Sequence, residues 1–164
     1  MSYIETERLI LRTWMPGDAP ALYAIAQKPE VARYLITQKP TMEQVQAWIA
    51  RETGLQERDG FSCWPVVRKS DGALIGRCGP RKMPEGYVEI AWVFDSAVWR
   101  QGYAQEAASA VIEYCLRSRQ LSAVYALINP DNAASIALAY RLGMRFDRVV
   151  RAYKRDLLRY ERHA

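Results

Sequence analysis

The sequence has a single histidine, His163, and only three cysteines, at positions 63, 78 and 115. The cysteines are widely spaced and odd in number, and no pair has the spacing of a zinc-binding motif. We therefore expect neither a metal site nor a catalytic triad that depends on histidine. Free cysteines are commonly core residues, so we expect reduced, partly buried thiols.

Long apolar runs are also missing. No stretch approaches the ~20 residues that a membrane-spanning helix needs. The opening residues, MSYIETERL, lack the basic patch and apolar core of a signal peptide. We expect a cytoplasmic protein with no membrane partner. The length of 164 residues, half of them hydrophobic and a quarter charged, predicts a single globular domain over 1–164.

Acidic residues are scarce near the end of the chain, although the net charge of the whole is only +5. A basic face of this kind can attract phosphates or acidic partners. Charges on an exposed edge strand also block unwanted pairing, which is the simpler interpretation. No nucleic-acid-binding motif accompanies the charges, so a basic nucleic-acid-binding module is the least favoured function. The basic residues concerned are Arg145, Arg148, Arg151, Lys154, Arg155, Arg159 and Arg162.

The apolar pattern predicts an α/β fold, with a mixed, mostly antiparallel central sheet and flanking helices. Asp18 is a candidate N-cap, Thr41 and Gln44 form a capping-box pattern, and Asp71-Gly72 predicts a hairpin. The expected strands are 8–14, 61–69, 73–82, 86–95, 123–129, 144–153 and 154–162. The expected helices are a short one after Asp18, then 28–35, 41–57, 103–119 and 132–142.

The stretch WRQGYAQEA, residues 99–107, joins a strand to the long amphipathic helix through one glycine. Such a turn directs free backbone N–H groups at one point, and the helix dipole favours an anion there. The glycine patterns of P-loops and dinucleotide-binding turns are both absent. From these residues alone, an ordinary helix start and a phosphate cradle both remain open.

This stretch resembles the pyrophosphate-binding turn of the GNAT N-acetyltransferase superfamily, roughly (Q/R)-x-x-G-x-(G/A), with Trp99 at the first position. It is most similar to the branch of ribosomal-protein N-terminal acetyltransferases (acetyltransferase 3 type), which has W-G-K-G-Y-A-x-E-A. Residues 5–35, 87–104 and 129–144 resemble other segments of that branch, in the expected order. Met144 replaces the usual phenylalanine in the last of them.

The resemblance implies transfer of an acetyl group from acetyl-CoA, as cosubstrate, to a primary amine. The acceptor would be a protein N-terminus or a small-molecule amine. Ser135 would lie near the thioester sulfur, and Asn132 would contact the pantetheine arm. The backbone of the central strand would also bind that arm, through Trp92, Val93 and Phe94. The turn would hold the pyrophosphate through the N–H groups of Arg100, Gln101, Gly102, Tyr103 and Ala104.

A general base is useful because amines are largely protonated at neutral pH. Glu89, within an apolar strand, is the candidate, and a cross-strand ion pair with Arg77 or Arg81 is the alternative. Asn132 could equally be a helix N-cap, and Ser135 could make a local backbone bond. Glu106 is expected to serve helix electrostatics.

Many GNAT enzymes have a general-acid tyrosine seven residues after the asparagine, but that position is Ala139 here. Tyr140 lies one residue later, about 100° around the helix, and is a weaker candidate. The resemblance places the acceptor site among Trp14, Arg33, Tyr34, Trp64 and Met83. A CoA-binding sensor without catalysis stays open as the alternative function. The oligomeric state also stays open, and a homodimer is one option.

Overall fold

The computed structural model describes residues 2–164 and contains an eight-stranded sheet in the order β1-β2-β3-β4-β5-β6-β8-β7. Six of the seven neighbouring pairs are antiparallel, and β5 with β6 is parallel. The predicted mixed, mostly antiparallel α/β fold is thus confirmed. The strands are β1 (Ser2–Glu5), β2 (Leu9–Arg12), β3 (Trp64–Arg68), β4 (Leu74–Lys82), β5 (Val88–Phe94), β6 (Ala123–Ile128), β7 (Arg145–Ala152) and β8 (Arg155–His163).

Five α-helices flank this sheet in the described part of the chain. Most of the helices match the predicted segments, but α2 is shorter than the expected 28–35. Among the strands, the sequence analysis missed β1. The five helices are α1 (Ala19–Gln27), α2 (Pro29–Ala32), α3 (Met42–Asp59), α4 (Tyr103–Glu113) and α5 (Ala133–Arg141). A π-helical turn, Tyr114–Ser118, extends α4 to the predicted length.

The ends of α3 show why this segment is helical. Thr41 Oγ1 accepts from the Gln44 N–H (3.2 Å), and Gln44 Oε1 accepts from the Thr41 N–H (2.9 Å). This reciprocal pair is the predicted capping box. Gly60, at φ 79°, ends the helix after Asp59, two residues beyond the expected end.

Asp18 occupies the predicted N-cap position of α1, but its side chain does not cap the helix. Its carboxylate accepts instead from both terminal nitrogens of Arg12, at 2.8 Å each, and from the Met15 N–H at 2.8 Å. A bidentate hydrogen bond to a guanidinium is stronger than a single bond to an amide. The pair of Arg12 and Asp18 also connects the end of β2 to the start of α1.

The apolar face of α4 packs against the sheet and forms the centre of the core. The predicted stripe is confirmed, because all but half-buried Ala104 of its members are buried: Ala107, Ala108, Val111, Ile112, Cys115 and Leu116. The three cysteines are free and buried, as expected. Burial raises the pKa of each thiol, to about 12 for Cys115, so none is poised as a thiolate.

The basic C-terminal segment forms the sheet edge that the simpler interpretation predicted. β7 is the outer strand, next to β8. Its arginines face carboxylates: Arg145 contacts Glu161, and Arg148 contacts Asp147. This pairing leaves less free charge than the composition suggested, which weakens the nucleic-acid interpretation.

Gly79 allows β4 to approach the segment that enters β3. A Cβ atom at this glycine would lie 2.3 Å from the Ser62 carbonyl oxygen and 2.8 Å from the Cys63 Cα. Both neighbours are backbone atoms, which cannot rotate away. By contrast, a Cβ at Gly54, inside α3, would meet nothing within 4 Å.

We expect Gly79→Ala to lower the free energy of unfolding by about 1–3 kcal/mol, because the new methyl group overpacks the strand contact. Gly54→Ala should raise it by up to about 1 kcal/mol, since alanine is the better helix former. Thermal and urea unfolding of both variants measures the difference. A Gly79→Ala protein as stable as the parent would show that the contact yields easily.

Candidate active site

The turn before α4 has the backbone geometry of an anion cradle. Gly102 has φ 82° and Arg100 has φ 62°, so the chain twice enters the left-handed region just before the helix. No side chain among residues 2–164 caps this end. The first helical bond runs from the Glu106 N–H to the Gly102 carbonyl, at 3.0 Å, which leaves the earlier N–H groups of the turn for a ligand.

Arg8, in the loop between β1 and β2, holds this turn in place. Its Nε donates to Glu106 Oε2 (2.6 Å), and its Nη1 donates to the Gln101 carbonyl (2.9 Å). Its guanidinium lies over the Tyr103 ring, 4.3 Å from the centroid. One arginine thus bonds the turn on both sides of Gly102 and keeps a positive charge beside it.

Glu106 is fixed by more than the helix dipole. It also accepts from the Thr6 hydroxyl (2.6 Å) and from the Arg8 N–H (2.9 Å). Burial opposes its ionisation, but the bonds from Thr6 and Arg8 outweigh that effect, so the pKa of Glu106 lies below its usual value. The carboxylate is therefore a charged anchor for the β1–β2 loop, a contact that the sequence analysis did not predict.

The central strand opens beside this turn. The described pairing of β5 with β6 is confined to Glu89 opposite Tyr125, whereas β5 pairs with β4 along its whole length. From Ile90 onward, the edge of β5 towards β6 is therefore free to pair with an extended amide chain. The Phe94 carbonyl already accepts from Trp99 Nε1 (3.0 Å), so Trp92 and Val93 are the better placed of the three predicted strand residues.

The two predicted residues of α5 lie across this opening. Asn132 is the N-cap of α5, and its Oδ1 accepts from the Ser135 N–H (3.2 Å), which confirms the structural alternative for Asn132. The Ser135 hydroxyl accepts from Trp92 Nε1 (3.2 Å). This contact joins α5 to β5 and leaves the hydroxyl proton of Ser135 able to point elsewhere.

Glu89 lies at the start of the opening, and its side chain is almost fully buried. Tyr153, in the turn between β7 and β8, donates its hydroxyl hydrogen to Glu89 Oε2 at 2.6 Å. Burial raises the pKa of Glu89; the Tyr153 bond and the charges of Arg81 and Arg77 lower it, but not enough to cancel the effect. The same burial, together with the Glu89 charge, raises the pKa of Tyr153, so the phenol stays neutral.

The alternative for Glu89, a cross-strand ion pair with Arg77 or Arg81, is wrong, because its carboxylate bonds the neutral Tyr153 hydroxyl instead. Arg81 is opposite Glu89 in the register, but its Nη2 bonds Glu52 Oε1 (3.2 Å) and its Nη1 bonds the Tyr153 hydroxyl (3.2 Å). Glu52 is fully buried and also accepts from the Cys63 N–H (2.9 Å). Arg81 therefore reaches Glu89 through Tyr153 rather than directly.

A cavity of about 480 Å³ opens onto this network. Its walls come from α1, α3, β4, β5 and the β7–β8 turn. Tyr153 and Arg81 line it, which places the Glu89 carboxylate directly behind its surface. Val93 lines it from β5, so the cavity meets the strand that opens towards β6. A cavity beside a titratable group with a raised pKa is the arrangement expected of an active site.

None of the five predicted acceptor residues belongs to the described lining of this cavity. Trp64 is only 1% exposed and packs in the core, so the structure corrects its assignment to a ligand-contacting wall. Trp14 packs edge-on against Trp48, which does line the cavity. Arg33 is exposed and stacks on Tyr34.

Two further residues of the sequence analysis also lie away from the walls. The Tyr34 hydroxyl donates to the Asp131 carbonyl (3.0 Å), which ties the segment after α2 to the start of α5. Met83 is buried behind Tyr153, and its sulfur lies 3.5 Å from the Tyr153 hydroxyl oxygen.

Tyr153 is the residue of the candidate site that the sequence analysis missed. It lies 64 positions from Glu89, in a tail read only as basic strands. The two positive φ values of the hairpin, 51° at Tyr153 and 61° at Lys154, aim the ring at the sheet centre. Tyr140, the weaker candidate, is 57% exposed and packs on Tyr160 outside the cavity.

Within residues 2–164, no cluster of three or more acidic, histidine or cysteine side chains could hold a metal ion. Over the same residues, none of the helices has the length and hydropathy needed to cross a bilayer.

We expect Arg8→Ala to weaken the binding of coenzyme A roughly tenfold, because the turn loses its bonds to Glu106 and Gln101 as well as a nearby charge. Titration calorimetry with coenzyme A measures the change. Arg117→Ala is the matched control, since it removes an equal charge from an exposed i,i+4 pair beyond the other end of α4. Equal affinities for both variants would show that Arg8 does not support the cradle.

Relatives of nearly full length include two proteins from Bacillus subtilis (strain 168). The uncharacterized protein YkkB is 32% identical over 161 residues, which cover 96% of this chain and 93% of YkkB. The uncharacterized N-acetyltransferase YnaD is 31% identical over 144 residues, 87% of this chain and 82% of YnaD.

Solved structures share the fold. An acetyltransferase from Agrobacterium tumefaciens superposes with a TM-score of 0.87 at 23% identity, over 98% of this chain and 94% of that one. RimL, a ribosomal L7/L12 alpha-N-protein acetyltransferase in complex with coenzyme A, gives a TM-score of 0.81 at 16% identity, over 96% and 95%.

The family model of the acetyltransferase (GNAT) domain matches residues 8–145, which include the anchor Arg8, the central strand and the turn before α4. The family resemblance stated from the sequence is thereby confirmed. The segments that carry it include the cradle before α4, the opening of β5 and the buried Glu89 carboxylate. The chain belongs to the GNAT family and is an N-acetyltransferase.

Proposed function

We propose that the protein transfers an acetyl group from acetyl-CoA directly to a primary amine, with Glu89 as the general base. The observation that carries this proposal is the buried Glu89 carboxylate, held by Tyr153 behind the cavity surface at the point where β5 leaves β6. The acceptor is a small-molecule amine or a protein N-terminus.

The residues present fit acetyl-CoA. The N–H groups at the start of α4 and the charges of Arg8 and Arg100 suit a pyrophosphate. The free edge of β5 at Trp92 and Val93 suits the two amides of a pantetheine arm. Together they lead an extended thioester from the turn to the cavity, beside Ser135. Bound there, acetyl-CoA supplies the activated acyl carbon.

Glu89 is suited to remove the proton of the acceptor nitrogen. Burial raises the pKa of Glu89, which makes its carboxylate a better base than that of an exposed glutamate. The guanidinium groups of Arg77 and Arg81 line the same cavity, and their positive charges disfavour an ammonium ion there. They therefore lower the pKa of a bound amine and increase its neutral, nucleophilic fraction.

The bond changes balance with the groups at hand. The neutral nitrogen attacks the thioester carbon, the new C–N bond forms, and the C–S bond breaks. Glu89 receives the proton from nitrogen, directly or through water. The Ser135 hydroxyl accepts from Trp92, so its own hydrogen can bond the departing thiolate. The thiolate takes a proton from solvent, and Glu89 releases its proton to solvent.

We expect Glu89→Gln to lower kcat by roughly 10²–10⁴-fold, the usual contribution of general base catalysis, with little change in the affinity for coenzyme A. Release of free thiol from acetyl-CoA, followed with a panel of amines, measures the loss. Ser135→Ala should cost less, because solvent can protonate a thiolate. If both variants turned over as fast as the parent, the roles proposed for Glu89 and Ser135 would be wrong.

The pH dependence gives an independent check on the same pair. Because the base must be ionised, kcat/KM should rise with pH through the raised pKa of Glu89. Tyr153 donates to the carboxylate and thereby lowers its pKa. Tyr153→Phe should therefore shift the acidic limb of the profile to higher pH.

Tyr140→Phe is the control for that profile, since it removes a hydroxyl from an exposed tyrosine outside the cavity. Its limb should coincide with that of the parent. A Tyr153→Phe limb that stays in place or moves to lower pH would contradict the assignment of Glu89 as the group that titrates.

A further inference from the structure

The cavity beside Glu89 combines an apolar wall with positive charge. Its apolar side chains come mainly from α1 and α3 and include Leu22, Ile25, Val45 and Trp48. Its charged lining consists of Arg51, Arg77 and Arg81, and the described lining contains no acidic side chain. A site built to receive only an ammonium group would be expected to show the opposite sign.

Two of these three arginines share one carboxylate as their ion-pair partner. Arg51 Nη2 lies 3.4 Å from Glu52 Oε1, and Arg81 Nη2 lies 3.2 Å from the same oxygen. Glu52 is fully buried, so this shared carboxylate lies behind the cavity lining.

Arg77 is the exception. Among residues 2–164, no carboxylate oxygen lies within 4.0 Å of its guanidinium. Its described contacts are the Trp48 ring, 4.5 Å from the centroid, and the Cys63 sulfur, 3.7 Å from Nη1. Neither contact supplies a negative charge. A half-buried cation without a carboxylate in contact is costly, and an anionic ligand would offset that cost.

The position of Arg77 suits such a ligand. The ring of Trp48 restricts the plane of the guanidinium, which prepares its parallel N–H groups for a carboxylate. Arg77 and Arg81 point to one face of β4, four residues and about 13 Å apart along the strand. Arg77 is opposite Val93, and Arg81 is opposite Glu89, so Arg77 and the base lie towards opposite ends of the cavity.

We propose that the acceptor is an amino carboxylate with an apolar body. Its carboxylate binds Arg77, its apolar part packs against Trp48 and the α1–α3 wall, and its amine lies near Glu89 and Tyr153. The amine and the carboxylate are separated by several bonds. This inference rests on the proposed function for the position of the amine, but the anion site at Arg77 stands on its own contacts.

The first experiment compares acceptors that differ only in charge. Short ω-amino carboxylates and 4-aminomethylphenylpropanoate are assayed beside their neutral carboxamides and beside peptides with free N-termini, with acetyl-CoA in excess. In the parent, the carboxylates should have a KM roughly 10- to 100-fold below that of the carboxamides, the usual worth of a charge-assisted bond. Arg77→Gln should abolish the difference, and Arg77→Lys should retain part of it.

Arg58→Gln is the matched control, because it removes the same charge from the exposed side of α3, where Arg58 pairs with Asp59 outside the cavity. It should preserve the preference of the parent. Equal KM values for carboxylates and carboxamides in the parent, or a preference that survives Arg77→Gln, would overturn the inference.

A binding measurement separates this inference from the proposed function. Calorimetry with 3-phenylpropanoate, which has no amine, should show binding to the parent and to Arg58→Gln, and loss of binding in Arg77→Gln. If this result holds while no amine accepts acetyl, the anion site stands and the proposed function fails. If amines are acetylated but 3-phenylpropanoate does not bind the parent, the inference fails and the proposed function stands.

Discussion

The hydrogen bond between Tyr153 and Glu89 is the contact on which the cavity and its chemistry depend. It joins the start of β5 to a hairpin turn far along the chain, whose Tyr153 lines the cavity. It also sets the state of both groups: the phenol remains neutral, and the carboxylate remains the basic partner. Without this donor, burial alone would push Glu89 towards its protonated form.

The cavity also depends on how the sheet opens. β5 has β4 as a full-length antiparallel neighbour, but its contact with β6 is confined to the level of Glu89. Beyond that level, the side chains of Trp92 and Ser135 bridge the opening and the strand edge stays accessible. The same opening leads to the turn that Arg8 and Glu106 hold. A route for an extended cosubstrate therefore runs along one continuous strand edge.

Much of this arrangement could be predicted from local sequence. The stripe of α4, the capping box at Thr41 and the hairpin at Asp71-Gly72 depend on neighbours within a few residues, and the structure has all three. The turn around Gly102 was found for the same reason. Glu89 was found because a charge within an apolar strand is costly without a purpose.

The remaining features depend on contacts between distant segments. Tyr153 and Arg8 have no local pattern that marks them, since each acts on a partner far away in the chain. Trp64 was predicted in the acceptor site but lies in the core. A tryptophan is common in both recognition surfaces and cores, and only its packing distinguishes the two. Aspartate is a common N-cap residue, but the Asp18 carboxylate bonds Arg12 instead of the N–H groups of α1.

The titration of Glu89 itself is the most direct measurement. Carboxyl ¹³C shifts of glutamate-labelled protein, with Glu89→Gln used to assign the resonance, report its pKa without any substrate. A pKa for Glu89 above those of the exposed glutamates is the result that a buried, Tyr153-bound base requires. A pKa at or below theirs would contradict it, because the carboxylate would then be too weak a base for the proposed proton transfer.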